Sequence, residues 1–429
     1  MLQHLNSKEV TVENLALSLR KSHEISEDIT ETVQKLIEDV KTKGNKAVFD
    51  LTLKFDKVDL TKFGLKVTKD EIKQAYEKVS EIQIQALKKI KQRIEDFESK
   101  LLKNSELQFS PVKGLTINST FRPIESVGCY VPGGVASYPS SLLMSVVPAK
   151  VAGVKKISVC SPALPNGDLN PLLLVGADIC EVDEFYRIGG VQAIASLALG
   201  TETINPVAKI VGPGNIYVTC AKIIVSRFVD IDLPAGPSEI LIYADNNANP
   251  RKIALDLIAQ SEHSKHSICG VVTTSKELFN NIEKEINKLI DIAPRKEIIE
   301  YSLKTHGFYL TVNSEDEAIR FVNAFAPEHL EVFTSEPEQA VKKVNSAGLI
   351  LLGDTTPVAA SDYSMGTNHI LPTGGYAKTR SGLSVFDFCK RVNIVSCNKE
   401  GLQSLAEDTI SLAEAEGLYS HAQAVKERV

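Results

Sequence analysis

Acids, amides and imidazoles gather into short clusters in the second half of this chain: Gln260-Ser-Glu-His263, Ala326-Pro-Glu328-His329, Ser361-Asp362-Tyr363, Asn368-His369 and Glu416-Gly-Leu-Tyr-Ser-His421. Of its eight histidines, His263, His266, His329, His369 and His421 fall in or beside them. Imidazole titrates nearest neutrality and is the commonest zinc ligand, so the concentration points to a metal site, an acid–base site, or both. Asn249-Pro250 predicts a helix start, a capping amide followed by proline in the first turn. That helix buries Ile253, Ala254, Leu257 and Ile258 and presents Gln260 and His263 from one face near its C-terminal end. Asp362 and His421 can join them only through the fold. His263 and His266 have the same spacing, and any single histidine can equally be a hydrogen-bonded structural residue. Glu328 and His329 are expected on a loop from which both reach one cavity, the imidazole as general base and the carboxylate activating water. Taken alone, Pro327 before two polar residues reads as a surface turn.

The elements that position these groups show in the periodicity. Residues 30–40 carry Val33, Leu36, Ile37 and Val40 at helical spacing, with Gly44 as a C-terminal cap. Residues 70–102 repeat the pattern with a break, so the first hundred residues read as helical. From about residue 115 the texture changes to strands at 115–121, 126–131, 157–160, 181–186, 208–211 and 240–243. Helices at 142–151, 191–199 and 216–227 alternate with them. The alternation resumes with strands at 268–273, 308–312 and 349–352, and the tail from Leu402 reads as a helix pair. This pattern predicts parallel sheets with helices on their faces, in two lobes.

Glycine- or proline-rich turns follow the predicted strands at 130–134, 188–192, 212–215 and 234–239. Glycine lets a backbone approach a phosphate, and ligands in open α/β sheets bind at carboxyl ends of strands. None of these turns matches G-x-G-x-x-G, and each is equally a tight turn needing positive φ. Cys129 stands next to the first of them, where a thiolate could attack an aldehyde, but nothing basic flanks it.

Bulk composition narrows the classes. A chain of 429 residues should divide into more than one packed unit. A formal charge of −6 argues against nucleic-acid or anionic-membrane partners. The N-terminus lacks the pattern of a signal peptide, and no apolar run approaches a membrane span. Seven cysteines without a C-x-x-C pair suit reduced thiols in a cytoplasm. A zinc hydrolase using Glu328, or a non-enzymatic metal or nucleotide binder, remains compatible with the residues themselves.

Eight ordered blocks resemble the histidinol dehydrogenase family: G-C-Y-V-P-G-G (128–134), Y-R-I-G-G-V-Q-A-I-A (186–195), G-P-G-N (212–215), D-L-P-A-G-P-S-E (232–239), Q-S-E-H (260–263), A-P-E-H-L (326–330), S-D-Y-S-M-G-T-N-H-I-L-P-T (361–373) and E-G-L-Y-S-H (416–421). The resemblance runs from about residue 30 to the C-terminus.

It implies an α/β fold of two similar, incomplete Rossmann-like lobes with helical N- and C-terminal extensions. The implied units are 1–30, 31–126 with 240–377, a nucleotide-binding lobe at 127–239, and a 378–429 tail exchanged in a homodimer. The implied activity is NAD-dependent oxidation of L-histidinol to L-histidine through the aldehyde, at the end of histidine biosynthesis, with one zinc per subunit. Carried over, Gln260, His263, Asp362 and His421 become zinc ligands, and Glu328 and His329 the acid–base pair. Ser238, Gln260, His263, His329, Asp362, Glu416 and His421 become substrate contacts, and Tyr130, Gln192 and Asn215 nucleotide contacts. Zinc is assigned to orientation of the substrate. His266 is expected at a nearby surface, and His369 near the site without an assigned role.

Overall fold

Two parallel sheets organise the chain, and both arise from the alternation of short apolar strands with helices. The computed structural model describes residues 1–6, 10–20, 25–133, 138–233 and 236–429. Gly134, Pro234 and Ala235, parts of the sequence blocks above, lie outside the described residues. The chain opens with β1 (Gln3–Asn6) and α1 (Val12–Arg20). It continues through α2 (Glu27–Lys43), α3 (Asn45–Phe55), α4 (Leu60–Phe63), α5 (Lys69–Glu77) and α6 (Glu81–Lys103). The expected break falls at residues 78–80, where Ser80 forms a capping box with Gln83 and starts α6. Gly44 ends α2 at φ +55.

After β2 (Leu107–Phe109) and β3 (Leu115–Pro123), the first parallel sheet is built from β4 (Ser126–Tyr130), β5 (Lys156–Cys160), β6 (Glu184–Tyr186), β7 (Lys209–Val211) and β8 (Asp230–Ile231). Between them run α7 (Pro139–Ala152), α8 (Pro171–Ile179), α9 (Gly190–Leu199) and α10 (Ile216–Val225). Its order is β6-β5-β4-β7-β8.

The second sheet uses β9 (Glu239–Ala244), β10 (Ile268–Thr273), β11 (Phe308–Thr311), β12 (His329–Phe333) and β13 (Leu349–Leu352). Its helices are α11 (Pro250–Ser261), α12 (Lys276–Ile290), α13 (Lys296–Thr305), α14 (Glu315–Phe325), α15 (Pro337–Ala340) and α16 (Val358–Tyr363). The order is β1-β11-β10-β9-β12-β13. Apart from β1, each sheet therefore runs third-second-first-fourth-fifth in its own numbering, the half-Rossmann order expected for two similar lobes. β9 and β10 are buried at every residue, as parallel strands covered on both faces must be.

Three features depart from expectation. β1 is a strand, paired in parallel with β11, within a region read as helical. The helices of residues 27–103 share their apolar core with the first sheet, through Val33, Val40, Val48, Leu87 and Ile94, rather than with the 240–377 unit. β3 pairs antiparallel along its length with β14 (Cys389–Cys397), which leads into α17 (Lys399–Ala415) and α18 (Tyr419–Lys426). The expected terminal helix pair is thus present, packed one helix on the other. Among the described residues no helix is long and apolar enough to cross a membrane.

Candidate active site

The chain leaves the carboxyl end of β8 at Ile231 and enters the amino end of β9 at Glu239, so one short crossing joins these two sheet edges. Tyr138, at the start of α7 on one side, lies within the electrostatic reach of Glu262 and Arg295 on the other. The ring of His369 spans the same gap: Nδ1 meets the Asp362 carbonyl oxygen at 2.7 Å and Nε2 the Ser141 hydroxyl at 3.0 Å. A carbonyl only accepts, so Nδ1 carries a proton. Burial holds the pKa of this imidazole below the usual histidine value.

On the β9 side, α11 starts as expected, with the Asn249 side chain accepting from the Arg251 and Lys252 backbone N–H groups. It ends at Ser261, so Gln260 occupies its last turn while His263 lies in the turn beyond, not on the helix face. Gln260 is buried, its Nε2 at a long 3.5 Å from the Glu239 carbonyl oxygen. Its Oε1 is buried and accepts no hydrogen bond from the described residues. His263 Nδ1 lies 3.4 Å from the Ser238 hydroxyl, and burial lowers the pKa of this imidazole.

Glu328 and His329 do not sit on a loop. Glu328 immediately precedes β12, and His329 is its first residue, in parallel register with Ile240 of β9. Both side chains are buried. Glu328 Oε2 accepts the Glu239 N–H at 2.7 Å, and the Glu328 N–H donates to Glu239 Oε2 at 3.3 Å. His329 Nδ1 faces the Glu239 carbonyl oxygen at 3.3 Å and Glu328 Oε2 at 3.6 Å. The carbonyl fixes the proton of neutral His329 on Nδ1, leaving Nε2 as the lone-pair nitrogen. Among the described residues Nε2 is buried without a hydrogen-bond partner; Asp362 Oδ1 lies 3.4 Å away as an ionic neighbour.

Burial raises the Glu328 pKa. Burial alone would lower that of His329, but the Glu328 and Asp362 carboxylates outweigh it and hold the imidazole well above its ordinary value. Both directions mean that this dyad grips a proton more tightly than either group does in water. For Asp362, burial is outweighed by the imidazoles of His329, His369 and His263, which hold its carboxyl below the usual range.

Ser238, Gln260, His263, Glu328, His329 and Asp362 therefore converge. Glu416 and His421 do not: both are exposed, near and on α18. Among the described residues no three His, Cys, Asp or Glu side chains form a metal-holding group. The cleft instead supplies a buried amide oxygen without a donor, a low-pKa imidazole and an ionised carboxylate. That donor set suits a borderline divalent cation such as zinc.

The nucleotide candidates lie at the carboxyl edge of the first sheet. Tyr130 ends β4, its hydroxyl accepting the Gly190 N–H at 3.2 Å. Gln192, in the first turn of α9, donates to Asp56 Oδ2 at 3.3 Å. Asn215 caps α10, its Oδ1 accepting from Tyr217 and Val218. Gly212, at φ +116, passes so close to Tyr130 that any side chain there would strike its carbonyl oxygen. Beneath this turn a buried Lys222–Asp232 ion pair holds the Gly212 N–H and carbonyl. Backbone approach and two helix N-termini fit a pyrophosphate. Burial pushes the Cys129 thiol up to about 12, which removes it as a nucleophile.

Sequence reasoning assigned no role to Glu239 or Arg20. Glu239 exchanges backbone hydrogen bonds with Glu328 and ion-pairs with Arg20 at the end of α1. Arg20 also donates to the carbonyls of Phe325 (2.6 Å) and Ala326 (3.1 Å), clamping the turn before Glu328. A lone acid opening an apolar strand was the signal at Glu239; Arg20 carried none.

Twin parallel sheets of one strand order, with a buried carboxylate–imidazole dyad at the amino edge of the second, define a two-lobed α/β protein with an acid–base site. The chain belongs to the histidinol dehydrogenase family, whose sequence profile matches residues 19–429. The histidinol dehydrogenase of Clostridium acetobutylicum is 46% identical over 401 residues, 94% of this chain and 92% of that protein. That of Methanocaldococcus jannaschii is 44% identical, covering 98% of this chain and 97% of the relative. The crystal structure of histidinol dehydrogenase from Elizabethkingia anophelis superposes with a TM-score of 0.92 at 36% identity, covering 100% of this chain and 98% of that one.

Proposed function

We propose that this chain is a cytoplasmic, homodimeric, zinc-containing enzyme that uses NAD to oxidise L-histidinol to L-histidine through L-histidinal, closing histidine biosynthesis. The observation that carries the reading is the buried Nε2 of His329, which no hydrogen bond among the described residues occupies, its other nitrogen held by the Glu239 carbonyl and flanked by Glu328. Gln260, His263 and Asp362, with His421 of the partner subunit, would hold zinc, which when bound supplies a Lewis-acidic anchor for the substrate's amine and imidazole nitrogens. NAD, held by Tyr130, Gln192 and Asn215, supplies the hydride acceptor.

The chain's own groups do the proton work. His329 Nε2 takes the alcohol proton as hydride leaves the carbinol carbon, giving the aldehyde. Glu328, beside it, takes a proton from water as the oxygen adds to the aldehyde, while protonated His329 returns its proton to the carbonyl oxygen, giving the hydrate and freeing His329 as a base. His329 then deprotonates the hydrate as the second hydride leaves, giving the carboxylate. A dyad that grips protons tightly is a strong base once emptied, which an unactivated alcohol requires. Ser238, Glu416 and the donors named above bind and orient the substrate.

Stoichiometry tests the proposal. Purified protein with zinc, NAD and L-histidinol should form two reduced nicotinamides per histidinol consumed, and lose this activity on exhaustive demetallation. Turnover without reduced nicotinamide would indicate a hydrolase instead, and absence of turnover a binding protein.

A further inference from the structure

Outside the dyad, one buried pair of acids has no part in the chemistry above. Glu331 is the third residue of β12, two beyond His329 and hence on the same strand face. Asp256 lies on α11 one turn before Gln260, on the same helix face. Both are buried, Glu331 completely. Glu331 Oε1 accepts the N–H of Val358 at 2.8 Å, at the start of the short helix that carries Asp362. Its Oε2 has no donor among the described residues and neighbours the Asp256 carboxyl. Two buried carboxyls that can only accept are compatible side by side when one proton lies between them. Burial and the facing acid raise the Glu331 pKa well above its ordinary value, and burial raises Asp256 to about 6.

We propose that the buried, neighbouring carboxyls of Asp256 and Glu331, with the Glu331–Val358 hydrogen bond, form a positioning device that fixes α11, β12 and α16 relative to one another, and so places Gln260, His263, His329 and Asp362. Three elements that are remote in sequence meet at this single contact. Apolar residues of similar volume commonly stabilise a fold more than buried ionisable pairs do, so stability alone is a poor explanation for it. The pair touches neither zinc nor substrate and acts through the groups it places. The inference rests on the reading of Gln260, His263 and Asp362 as metal donors.

The test measures zinc affinity of the full-length protein by chelator competition, with the visible spectrum of the cobalt-substituted form reporting donor geometry. Glu331→Gln keeps both contacts, because its amide accepts from Val358 and donates to Asp256. It should bind zinc and colour with cobalt as the parent does. Glu331→Met should melt no lower than the parent, yet bind zinc roughly 10–100-fold more weakly, the usual cost of losing support behind metal ligands. Its cobalt spectrum should shift, and kcat on histidinol should fall while KM for NAD stays unchanged. Should Glu331→Met fail to fold, Asp256→Leu carries the same expectations from the helix side. Parental zinc affinity and spectrum in the apolar variant, or weakened zinc binding in Glu331→Gln, overturns the proposal. His263→Asn separates the two readings. If it loses zinc while the apolar variants do not, only the positioning role falls; if it too retains zinc, the metal site itself falls.

Discussion

Glu328 and His329 are adjacent in sequence but are held by different means. The carboxylate hangs from the Glu239 N–H, while the imidazole is oriented by the Glu239 carbonyl. One residue thus sets both members of the dyad, and reciprocal contacts with Glu328 hold that residue in turn. Removing the base while keeping a hydrogen-bonding side chain should isolate the proton transfers. His329→Asn is expected to lower kcat on histidinol by about 10²–10⁴-fold, the usual contribution of a positioned base. Glu328→Gln should lower it too, while sparing oxidation of the pre-hydrated aldehyde more than His329→Asn does. Single-turnover rates with histidinol and with histidinal separate the two roles; equal losses on both substrates would remove the water-activating assignment. At this scale the motifs picked out Gln260, His263, Glu328, His329 and Asp362, which the fold brings together, because each short block keeps its polar groups within a few residues. They could not say which nitrogen of His329 is free, because that depends on a carbonyl from a neighbouring strand.

At the level of elements, segments with unbroken periodicity emerged where expected. α2 and α6 carry apolar stripes and capping side chains at their ends, so local chemistry suffices to place them. β12 escaped because His-Leu-Glu-Val-Phe opens with an imidazole and holds an acid at its centre, which erases the strand pattern. β1 escaped because four residues, three of them polar, carry too little periodicity. The junction between α6 and the tail offers a measurable consequence. Glu98 is buried on α6, accepts the Val385 N–H at 2.8 Å, and is pushed by burial to about 7 from 4.5. Its folded pKa lies above the unfolded one, so between those values the folded state keeps a proton that the unfolded chain has released. Stability therefore falls as pH rises through that window. Glu98→Gln should raise unfolding free energy near pH 8 by about 1–3 kcal/mol and give no such gain near pH 4.5. Chemical unfolding at the two pH values checks it; an equal gain at both, or none at the higher, contradicts the assignment.

For the whole molecule, the tail has the form of an arm. β14 is an edge strand with Ile394 and Val395 exposed, and α17 and α18 pack on each other with Leu412, Leu418 and Tyr419 outward. An exposed apolar edge invites a second chain, and the arm carries both site candidates that the cleft lacks, Glu416 and His421. If two copies exchange arms, Asp362→Asn and His421→Asn proteins are each inactive but complementary. Subunit exchange between equal amounts should restore about a quarter of the parental activity, since half the dimers are mixed and each carries one intact site. Confirmed heterodimers without recovery would place each site within a single chain.

Helix and strand placement was legible wherever the signal lay within a dozen residues, because backbone periodicity, caps and turn glycines act over that distance. The two-lobed parallel architecture followed from that alternation, and the zinc and dyad candidates from the resemblance of short motifs. Long-range packing decided the rest: that residues 27–103 cover the first sheet, that the dyad stands at the amino edge of the second, and that Glu239, Arg20 and the Asp256–Glu331 pair support it. These depend on which buried polar groups find partners across elements remote along the chain, and no local pattern encodes that choice.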